Sequence, residues 1–360
     1  AGTFAVPRHA PEGGYISVRK PKPRKTKPMN KRTDISIVVC TYNRAGLLER
    51  ALQSLVIQQC PPGLEYELIV VDDGSTDHTA DIVRELNRCT DRRVVYIHES
   101  GRGISAARNT GVHAARSEWI AFTDDDQIAE PTWLWNLWFA QGKSSAQCIG
   151  GARTLELPER VLQTLPRQTR LILGEIPCVG DLQPCTRDSL LCTGNLLLRK
   201  DLILKVGGFD ESLSQGGEDT DLLMRLRSSG LTCWFTPHAV VRHIIPAYRL
   251  ESGYLTWAAM RGGDCFAVRD VREWGKWKAS LTAVARIGQA VSVHVPKMLW
   301  TRTRGREAES IACKCRCVRA VAYAKRVAAL VFATREGAHK SAPNIIEFRG
   351  ERRMFDRAAG

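Results

Sequence analysis

Trp119-Ile120-Ala121-Phe122-Thr123-Asp124-Asp125-Asp126 is the stretch of this chain from which the fold can be inferred. A short apolar run that ends in acidic residues predicts a buried strand that delivers carboxylates to the carboxyl-terminal edge of a sheet. Adjacent like charges repel one another, so this cluster is unfavourable unless a cation lies beside it. Mg²⁺ or Mn²⁺ held by carboxylates usually takes phosphate oxygens as further ligands, which points to a nucleotide diphosphate. For the motif taken alone, a solvated acidic turn is the alternative.

Three further apolar runs precede this stretch, and each is followed by a polar loop and a helical pattern. The runs are residues 35–40, 68–71 and 94–97. Regular alternation of strand and helix predicts a parallel sheet that binds its ligands at the carboxyl ends of the strands.

Eight motifs, in this order and spacing over residues 39–243, resemble the inverting family 2 glycosyltransferases of the GT-A fold. The resemblance implies an α/β fold of GT-A type, with a mixed, mostly parallel sheet flanked by helices. The motifs are Val39-Cys40-Thr41-Tyr42-Asn43-Arg44, Val71-Asp72-Asp73-Gly74-Ser75, Ala107-Arg108-Asn109-Thr110-Gly111, Thr123-Asp124-Asp125-Asp126, Thr193-Gly194-Asn195, Val206-Gly207-Gly208-Phe209-Asp210, Gly217-Glu218-Asp219-Thr220-Asp221-Leu222 and Pro237-His238-Ala239-Val240-Val241-Arg242-His243.

The resemblance implies a nucleotide site built largely from the first two loops. Tyr42 would stack on the base, because an aromatic face tolerates any base. Asp73 would accept a hydrogen bond from the base, and Asp72 would support Asp73 or bind the ribose. Arg108 would donate to the base or the diphosphate. A turn with a helix cap is the alternative for Asp72 and Asp73, and a solvated arginine at a helix start is the alternative for Arg108. The implied nucleotide-binding residues are Thr41, Tyr42, Asn43, Arg44, Asp72, Asp73, Arg108, Asp124 and Asp125.

The acidic cluster resembles the DXD motif of the family, which implies a divalent metal cofactor, Mn²⁺ or Mg²⁺. Asp126 would be the direct ligand, Asp124 would face the ribose or donor sugar beside it, and Asp125 would point away or assist. His243 follows a short apolar run, and neutral imidazole is a suitable ligand for Mn²⁺, although a structural histidine is the alternative. The implied metal ligands are Asp126, Asp124 and His243. The metal would bridge both phosphates and neutralise charge as the nucleotide diphosphate leaves.

A second acidic cluster, Glu218, Asp219 and Asp221, follows Gly216 and Gly217 at the start of a helical pattern. Acids are favoured at helix N-termini, so capping is the alternative. Three acids in four residues exceed what a cap requires, and paired glycines allow close approach of a substrate. The resemblance makes Asp219 the general base for an acceptor hydroxyl, with inversion at the anomeric carbon. Glu218 would orient the acceptor or Asp219.

The donor and acceptor pocket is expected to include Gly194, Asn195 and Gly217. For Asn195, an ordinary turn asparagine is the alternative.

Charge divides the chain into three parts. Residues 1–33 contain nine Lys or Arg and one Asp or Glu, and residues 275–335 contain thirteen basic and two acidic residues. Residues 34–274, by contrast, contain twenty-five basic and thirty-one acidic residues. We therefore expect a basic, disordered tail over residues 1–33, a GT-A catalytic domain over residues 34–250, and a basic C-terminal helical extension over residues 251–360. The chain contains no uninterrupted run of 18 apolar residues, so no membrane-spanning helix is expected. The basic helices of the extension suit either an anionic membrane face or the solvated surface of a bundle.

Twelve cysteines are scattered along the chain, and no secretory signal accompanies them. This pattern predicts a reducing cytoplasm rather than a disulfide framework. The basic C-terminal helices would allow a peripheral location on the inner membrane face. A C-x-C-x-C run is formed by Cys313, Cys315 and Cys317. Metal binding or palmitoylation is one interpretation of this run, but no partnering C-x-x-C or His pair is found nearby.

The favoured function is a metal-dependent inverting glycosyltransferase. It would move a sugar from a UDP- or dTDP-sugar to a hydroxyl of a glycan or lipid-linked acceptor, in cell-surface polysaccharide synthesis. A sugar nucleotidyltransferase is the first alternative. It would require a Gly-rich pyrophosphate loop after the first strand, but residues 41–44 at that position are Thr-Tyr-Asn-Arg. A non-catalytic module whose basic ends bind membrane or nucleic acid is the second, and it leaves both acidic clusters without a role. No nucleic acid partner is expected.

Overall fold

The computed structural model describes residues 33–186, 191–213 and 217–332. Residues 1–32 of the predicted basic tail, Gly216 of the second acidic cluster and residues 333–360 lie outside these ranges. The described chain forms two compact units. One comprises the described residues of 33–156 and 174–244, and the other comprises residues 157–173 and 245–332.

Within the described residues, nine strands form one mixed sheet in the first unit, in the spatial order β3-β2-β1-β4-β8-β6-β9-β5, with β7 beside β9. The strands β3, β2, β1 and β4 are parallel, whereas β8 runs antiparallel to both β4 and β6. In chain order the strands are β1 (Ile35–Thr41), β2 (Tyr66–Asp72), β3 (Arg93–His98), β4 (Trp119–Asp124), β5 (Gln127–Ala129), β6 (Cys148–Glu156), β7 (Gln183–Pro184), β8 (Asn195–Arg199) and β9 (Trp234–Ile244).

The α-helices of the described chain lie partly in each unit: α1–α4, α7 and α8 belong to the sheet unit and the others to the second unit. Short 3₁₀ turns cover Glu211–Leu213 and Ala247–Leu250, and a π-helical turn covers Ala290–His294. The helices are α1 (Ala45–Val56), α2 (Thr79–Cys89), α3 (Ile104–Ala114), α4 (Trp133–Ser144), α5 (Glu159–Thr164), α6 (Arg167–Ile172), α7 (Lys200–Lys205), α8 (Glu218–Ser228), α9 (Ser252–Gln289), α10 (Val295–Thr303) and α11 (Glu307–Phe332).

The strand register brings the functional loops to one edge of the sheet. Thr41 lies opposite Asp72, and Cys40 lies opposite Asp124. Because these strands are parallel, the loops that follow β1, β2 and β4 leave the sheet at the same edge. Antiparallel pairing of β5 with β9 sets His243 opposite Gln127, directly after the acidic cluster. The predicted α/β fold with a mixed sheet flanked by helices is confirmed.

Both faces of the sheet are covered, which explains why β1 and β2 are mostly apolar and are buried along almost their whole length. Successive side chains of a strand point to opposite faces. Ile37 therefore packs with Leu52 of α1 on one face, and Val38 packs with Ala107 of α3 and Leu222 of α8 on the other. The two helices that carry predicted site residues, α3 and α8, thus lie on the same face of the sheet.

The second unit is helical, and α9 packs along α11. Gly263 permits this close approach, because a Cβ there would lie 2.6 Å from the carbonyl oxygen of Arg319. Helix α9 is interrupted at Gly275, whose φ of 79° is non-helical. At the centre of the unit, the fully buried Asp270 accepts a hydrogen bond from the hydroxyl of Tyr323 at 2.9 Å. None of the helices in the described ranges combines the length and the hydropathy that crossing a bilayer requires.

The C-x-C-x-C run lies on α11, where Cys313 and Cys315 are buried and Cys317 is half-buried. Cys313 and Cys317, four positions apart, share a face of the helix, whereas Cys315, two positions from each of them, points to a different side.

Candidate active site

The loops after β1 and β2 are hydrogen bonded to each other through Asn43. The backbone N–H of Asn43 donates to Ser75 Oγ at 2.8 Å, and its Oδ1 accepts from the backbone N–H of Thr76 at 2.7 Å. Asn43 has a φ of 51°, a left-handed conformation that asparagine adopts more readily than most residues. Tyr42, one position earlier, keeps 37% of its surface exposed. An aromatic ring is therefore presented to solvent from a firmly held turn.

Asp72 and Asp73 are both buried, and both are held by hydrogen bonds. Asp72 accepts from the backbone N–H of Ser75 at 2.8 Å and from the hydroxyl of Tyr96 at 2.5 Å. Burial, together with the hydrogen bond to Asp72, raises the pKa of Tyr96. Both carboxylate oxygens of Asp73 lie 3.0 Å from the backbone N–H of Gly103, which precedes α3. Asp73 therefore does contact a helix N-terminus, as the capping alternative requires.

The acidic cluster after β4 is not a solvated turn, so that alternative is wrong. Asp125 and Asp126 expose only 4% and 5% of their surface. Asp125 accepts hydrogen bonds from Thr41 Oγ1 and from Arg44, both at 2.9 Å, and Arg44 also lies 3.4 Å from Asp126. Burial raises the pKa of Asp125 to about 6, against the lowering effect of Arg44 and with a further rise from Asp126. Arg44 supplies positive charge beside the cluster, and with Thr41 it holds Asp125 in place.

Asp126, in the turn between β4 and β5, lies beside His243 of β9. His243 Nε2 lies 3.4 Å from Asp126 Oδ2, and both residues are buried. An oxygen and an imidazole nitrogen at this separation can occupy neighbouring positions around one divalent cation. No third His, Cys, Asp or Glu completes a metal-binding group anywhere in the described ranges. The donor set suits a metal that takes its other ligands from a diphosphate and water, as Mg²⁺ and Mn²⁺ do.

Asp124, the third predicted ligand, faces a different way. Its Oδ2 accepts from the side-chain amide of Gln127 and its Oδ1 accepts from Arg108, both at 3.2 Å. Gly194 lies against this carboxylate, because a Cβ at Gly194 would be 2.4 Å from Asp124 Oδ2. Gly194 therefore makes room for Asp124.

Asn195, by contrast, is buried, and both polar atoms of its side chain form hydrogen bonds within the core. It exposes 1% of its surface, and its Oδ1 accepts from the indole N–H of Trp133 at 2.8 Å. Its Nδ2 donates to main-chain carbonyls of β6 and β9 at 2.8 and 2.9 Å. Asn195 thus ties three elements together behind Gly194.

Arg108 lies on α3, and the solvated alternative for it is wrong, since it exposes 7% of its surface. It donates to Glu218 Oε1 and to Asp124 Oδ1, and its guanidinium lies 5.6 Å from the centre of the Phe209 ring. Burial alone would lower the pKa of Arg108, but the carboxylates of Glu218 and Asp124 raise it above its ordinary value. Arg108 is therefore a permanent cation between two acidic groups.

Glu218 and Asp219 begin α8, after Gly217 with a φ of 90°. Glu218 exposes 6% of its surface, and its Oε2 has no hydrogen-bond partner among the described residues. Burial raises the pKa of Glu218, Arg108 opposes this rise, and Asp219 adds to it. Asp219 is half-buried, and its Oδ1 accepts from the backbone N–H of Thr220 at 2.6 Å. The site thus contains one carboxylate oxygen, on Glu218, that is buried and available to a ligand.

Two polar residues of this site were not predicted from the sequence, namely Tyr96 and Gln127. Tyr96 lies inside an apolar strand pattern, which gave no sign of its contact with Asp72. Gln127 directly follows the acidic cluster, and a polar residue at that position was the available signal.

Comparison with known proteins identifies the family of this chain. The family model described as Glycosyl transferase family 2 matches residues 36–204. Validoxylamine A glucosyltransferase of Streptomyces hygroscopicus subsp. limoneus is 30% identical over 220 residues, which cover 55% of this chain and 48% of that protein. Succinoglycan biosynthesis protein ExoM of Rhizobium meliloti is 30% identical over 244 residues, which cover 65% of this chain and 74% of that protein. The chain therefore spans about half the length of the glucosyltransferase.

One solved structure supports the fold. It is a mannosyltransferase from Pyrobaculum calidifontis in complex with GDP-Man and Mn²⁺, with a TM-score of 0.54 and 18% identity. The match covers 81% of this chain and 87% of that one. At this level of identity the similarity concerns the fold alone.

Proposed function

The chain belongs to the family 2 glycosyltransferases, and from that membership we propose that it transfers a sugar from a nucleotide diphosphate to an acceptor hydroxyl, with inversion at the anomeric carbon. The observation that carries this proposal is the arrangement around Arg108. Arg108 lies between two acidic groups and donates a hydrogen bond to each. One is the acidic cluster after β4, which includes the Asp126–His243 pair, and the other is the Glu218-Asp219 pair at the start of α8. One acidic group suits the donor diphosphate through a metal, and the other suits proton removal from the acceptor.

The nucleotide binds at the joined loops after β1 and β2. Tyr42 offers its exposed face to the base. Asp73 accepts a hydrogen bond from a base N–H, because a carboxylate can accept several hydrogen bonds in addition to the one from the backbone N–H of Gly103. Uracil and thymine present such an N–H, so a UDP- or dTDP-sugar is the proposed donor. Guanine also presents one, and the mannosyltransferase from Pyrobaculum calidifontis was solved with GDP-Man.

A divalent cation, Mn²⁺ or Mg²⁺, is proposed to be held by Asp126 and His243. When bound, it supplies charge neutralisation at the departing nucleotide diphosphate. Arg44 provides additional positive charge beside Asp125 and Asp126. Gly194 makes room for the carboxylate of Asp124, which would face the ribose or the donor sugar from this position.

Asp219 is the proposed base. As the acceptor oxygen forms its bond to the anomeric carbon, Asp219 takes the hydroxyl proton, and the bond from that carbon to the phosphate oxygen breaks on the opposite face. Glu218 orients the acceptor through its free Oε2. Arg108 holds Glu218 at that position through its other oxygen.

The acceptor is proposed to be a glycan or a lipid-linked glycan. The name of the Rhizobium meliloti relative refers to succinoglycan biosynthesis, which supports a role in polysaccharide synthesis. A lipid-linked acceptor would require the enzyme to work at a membrane surface.

Calorimetric titration with UDP, dTDP and GDP, each with and without Mn²⁺, tests the donor side. We expect one nucleotide to bind tightly only when Mn²⁺ is present, and Asp126→Asn to abolish that dependence. If none of the three binds in a metal-dependent manner, the proposal is overturned. A non-catalytic module would then be the better account.

A further inference from the structure

The second unit contains a long segment without acidic residues. Residues 276–306 include seven Lys or Arg and no Asp or Glu. They form the C-terminal part of α9, the π-helical turn and α10. An acid-free basic segment of this length attracts polyanions or anionic surfaces.

The same segment exposes large apolar side chains at helical spacing. Trp277, Leu281, Val284 and Val291 expose 76%, 54%, 72% and 65% of their surface. Intervals of three, four and seven residues set these side chains along one face of the helix. The inward face carries small side chains, Ala279, Ala283 and Ala290, which are buried. The large apolar side chains therefore face solvent, whereas the opposite, packed face of the helix carries these three small alanines.

Aromatic and cationic residues continue this surface into α10. Trp300 is 48% exposed, and the guanidinium groups of Arg304 and Arg306 lie 5.3 and 5.7 Å from its ring centre. Tryptophan favours the boundary between headgroups and acyl chains, and arginine is attracted to anionic headgroups. A tryptophan thus lies towards each end of the segment, at positions 277 and 300.

The outward cations are available for an external anion. Lys278, Lys297 and Arg302 form no ion pair with any residue in the described ranges. Two other arginines of the segment are ion-paired: Arg286 faces inward and lies 3.6 Å from the buried Asp270, and Arg306 pairs with Glu309. Positive charge and apolar area thus lie together on the surface of one segment.

We propose that residues 276–306 form an interfacial surface that lies in the headgroup region of an anionic lipid bilayer. The apolar stripe would enter the boundary of the acyl chains, while the lysines and arginines contact anionic headgroups. A second copy of this chain is a poorer partner, since it would bring like charges together. Nucleic acid would match the cations but leave the exposed apolar stripe in water. This inference concerns attachment and does not depend on the proposed glycosyl transfer.

Flotation of the full chain with lipid vesicles tests the proposal without any donor sugar. We expect the protein to float with vesicles of phosphatidylcholine mixed with phosphatidylglycerol, and much less with phosphatidylcholine alone. Lys278→Gln with Lys297→Gln should weaken binding to the anionic vesicles by about fivefold per charge. Trp277→Ser with Leu281→Ser should weaken it by about tenfold or more, since two large apolar side chains are lost. All four positions are exposed, so circular dichroism should show the same helix content in each variant.

Matched controls lie outside the segment. Ile57→Ser alters an equally exposed apolar residue, and Lys205→Gln neutralises an exposed lysine, so neither should change flotation. Equal binding to both vesicle types, or full binding by the Trp277 and Leu281 variant, would overturn the proposal. So would salt-sensitive binding to duplex DNA with no flotation, or self-association in the absence of lipid that the same variant abolishes.

Discussion

Arg108 on α3 donates a hydrogen bond to the buried carboxylate of Glu218 on α8. Its second terminal nitrogen donates to Asp124 at the end of β4, at 3.2 Å. One guanidinium therefore links the helix that carries the proposed base to the strand that carries the acidic cluster. Because arginine keeps its charge at every physiological pH, this link is permanent.

Replacement of Arg108 by methionine should destabilise the protein by about 3–5 kcal/mol, because the buried carboxylate of Glu218 and the half-buried one of Asp124 lose their cation. The double variant Arg108→Met with Glu218→Leu should recover about 2 kcal/mol, since an apolar pair can replace a buried ion pair. Urea unfolding measures both. Transferase activity should not return in the double variant. Arg84→Met, at an exposed arginine on α2, is the control and should change stability little. Additive losses in the double variant would contradict the link.

Replacement of Asp219 by asparagine should lower kcat by about 10²–10⁴-fold, because the acceptor hydroxyl loses its proton acceptor. The metal-dependent affinity for the nucleotide should stay unchanged, since Asp219 lies at the other acidic group. Steady-state kinetics and nucleotide titration of the same preparation separate the two effects. A variant with full kcat would exclude Asp219 as the base.

Replacement of His243 by alanine should weaken Mn²⁺-dependent nucleotide binding by about tenfold or more, because the metal loses one of two protein ligands. The loss should be larger with Mn²⁺ than with Mg²⁺, since imidazole suits Mn²⁺ better. His238→Ala is a matched control, because His238 lies on the same strand and is exposed. Equal effects at the two histidines would argue for a structural role of His243.

Gly194→Ala should reduce nucleotide affinity and activity by about tenfold or more, because a close contact 2.4 Å from Asp124 Oδ2 must be relieved by moving that carboxylate. Gly142→Ala is the control. A Cβ at Gly142 meets no atom within 4 Å, so this change within α4 should stabilise the protein by about 0.5–1 kcal/mol. Calorimetry and thermal unfolding of both variants test the contrast. Unchanged nucleotide binding in Gly194→Ala would show that nucleotide binding does not depend on the position of the Asp124 carboxylate.

Tyr323→Phe should change the alkaline stability of the protein. Burial and then the hydrogen bond to Asp270 raise the pKa of Tyr323 from 10.0 to about 12. Between these values the unfolded chain loses a proton that the folded chain retains, so the free energy of unfolding falls as pH rises through this window. The phenylalanine variant lacks this fall, and near neutral pH it should be less stable by about 1.5–3 kcal/mol. Urea unfolding from pH 7 to 12 measures both, and parallel pH profiles would contradict the assignment.

The part of the fold that local pattern determines could be predicted from the sequence. The strands β1, β2 and β4 each end in polar residues that the parallel register brings to one edge, and the fold class and family are confirmed. The insertion of β8 and β6 between β4 and β9 depends on pairing between distant segments, which periodicity does not show. The grouping of residues 157–173 with the C-terminal helices likewise has no local signal.

The environment of individual site residues was less predictable. Arg108 and Glu218 are 110 positions apart in the chain, and only the packing of α3 and α8 on one face of the sheet brings them together. The burial of Asp125 and Asp126, and the 3.4 Å approach of His243 to Asp126, also follow from tertiary packing. The roles assigned to these residues stay predictions until the experiments above are made.

The link through Asn43 has a consequence for engineering of donor choice. Asn43 binds Ser75 and Thr76 of the neighbouring loop, so the two loops proposed to face the base are held together as one unit. A loop transplanted from a relative with another nucleotide preference would leave its neighbour with an unmatched N–H or hydroxyl unless both were exchanged. Recombination of such enzymes should therefore succeed when residues 41–44 and 72–77 are inherited from the same parent.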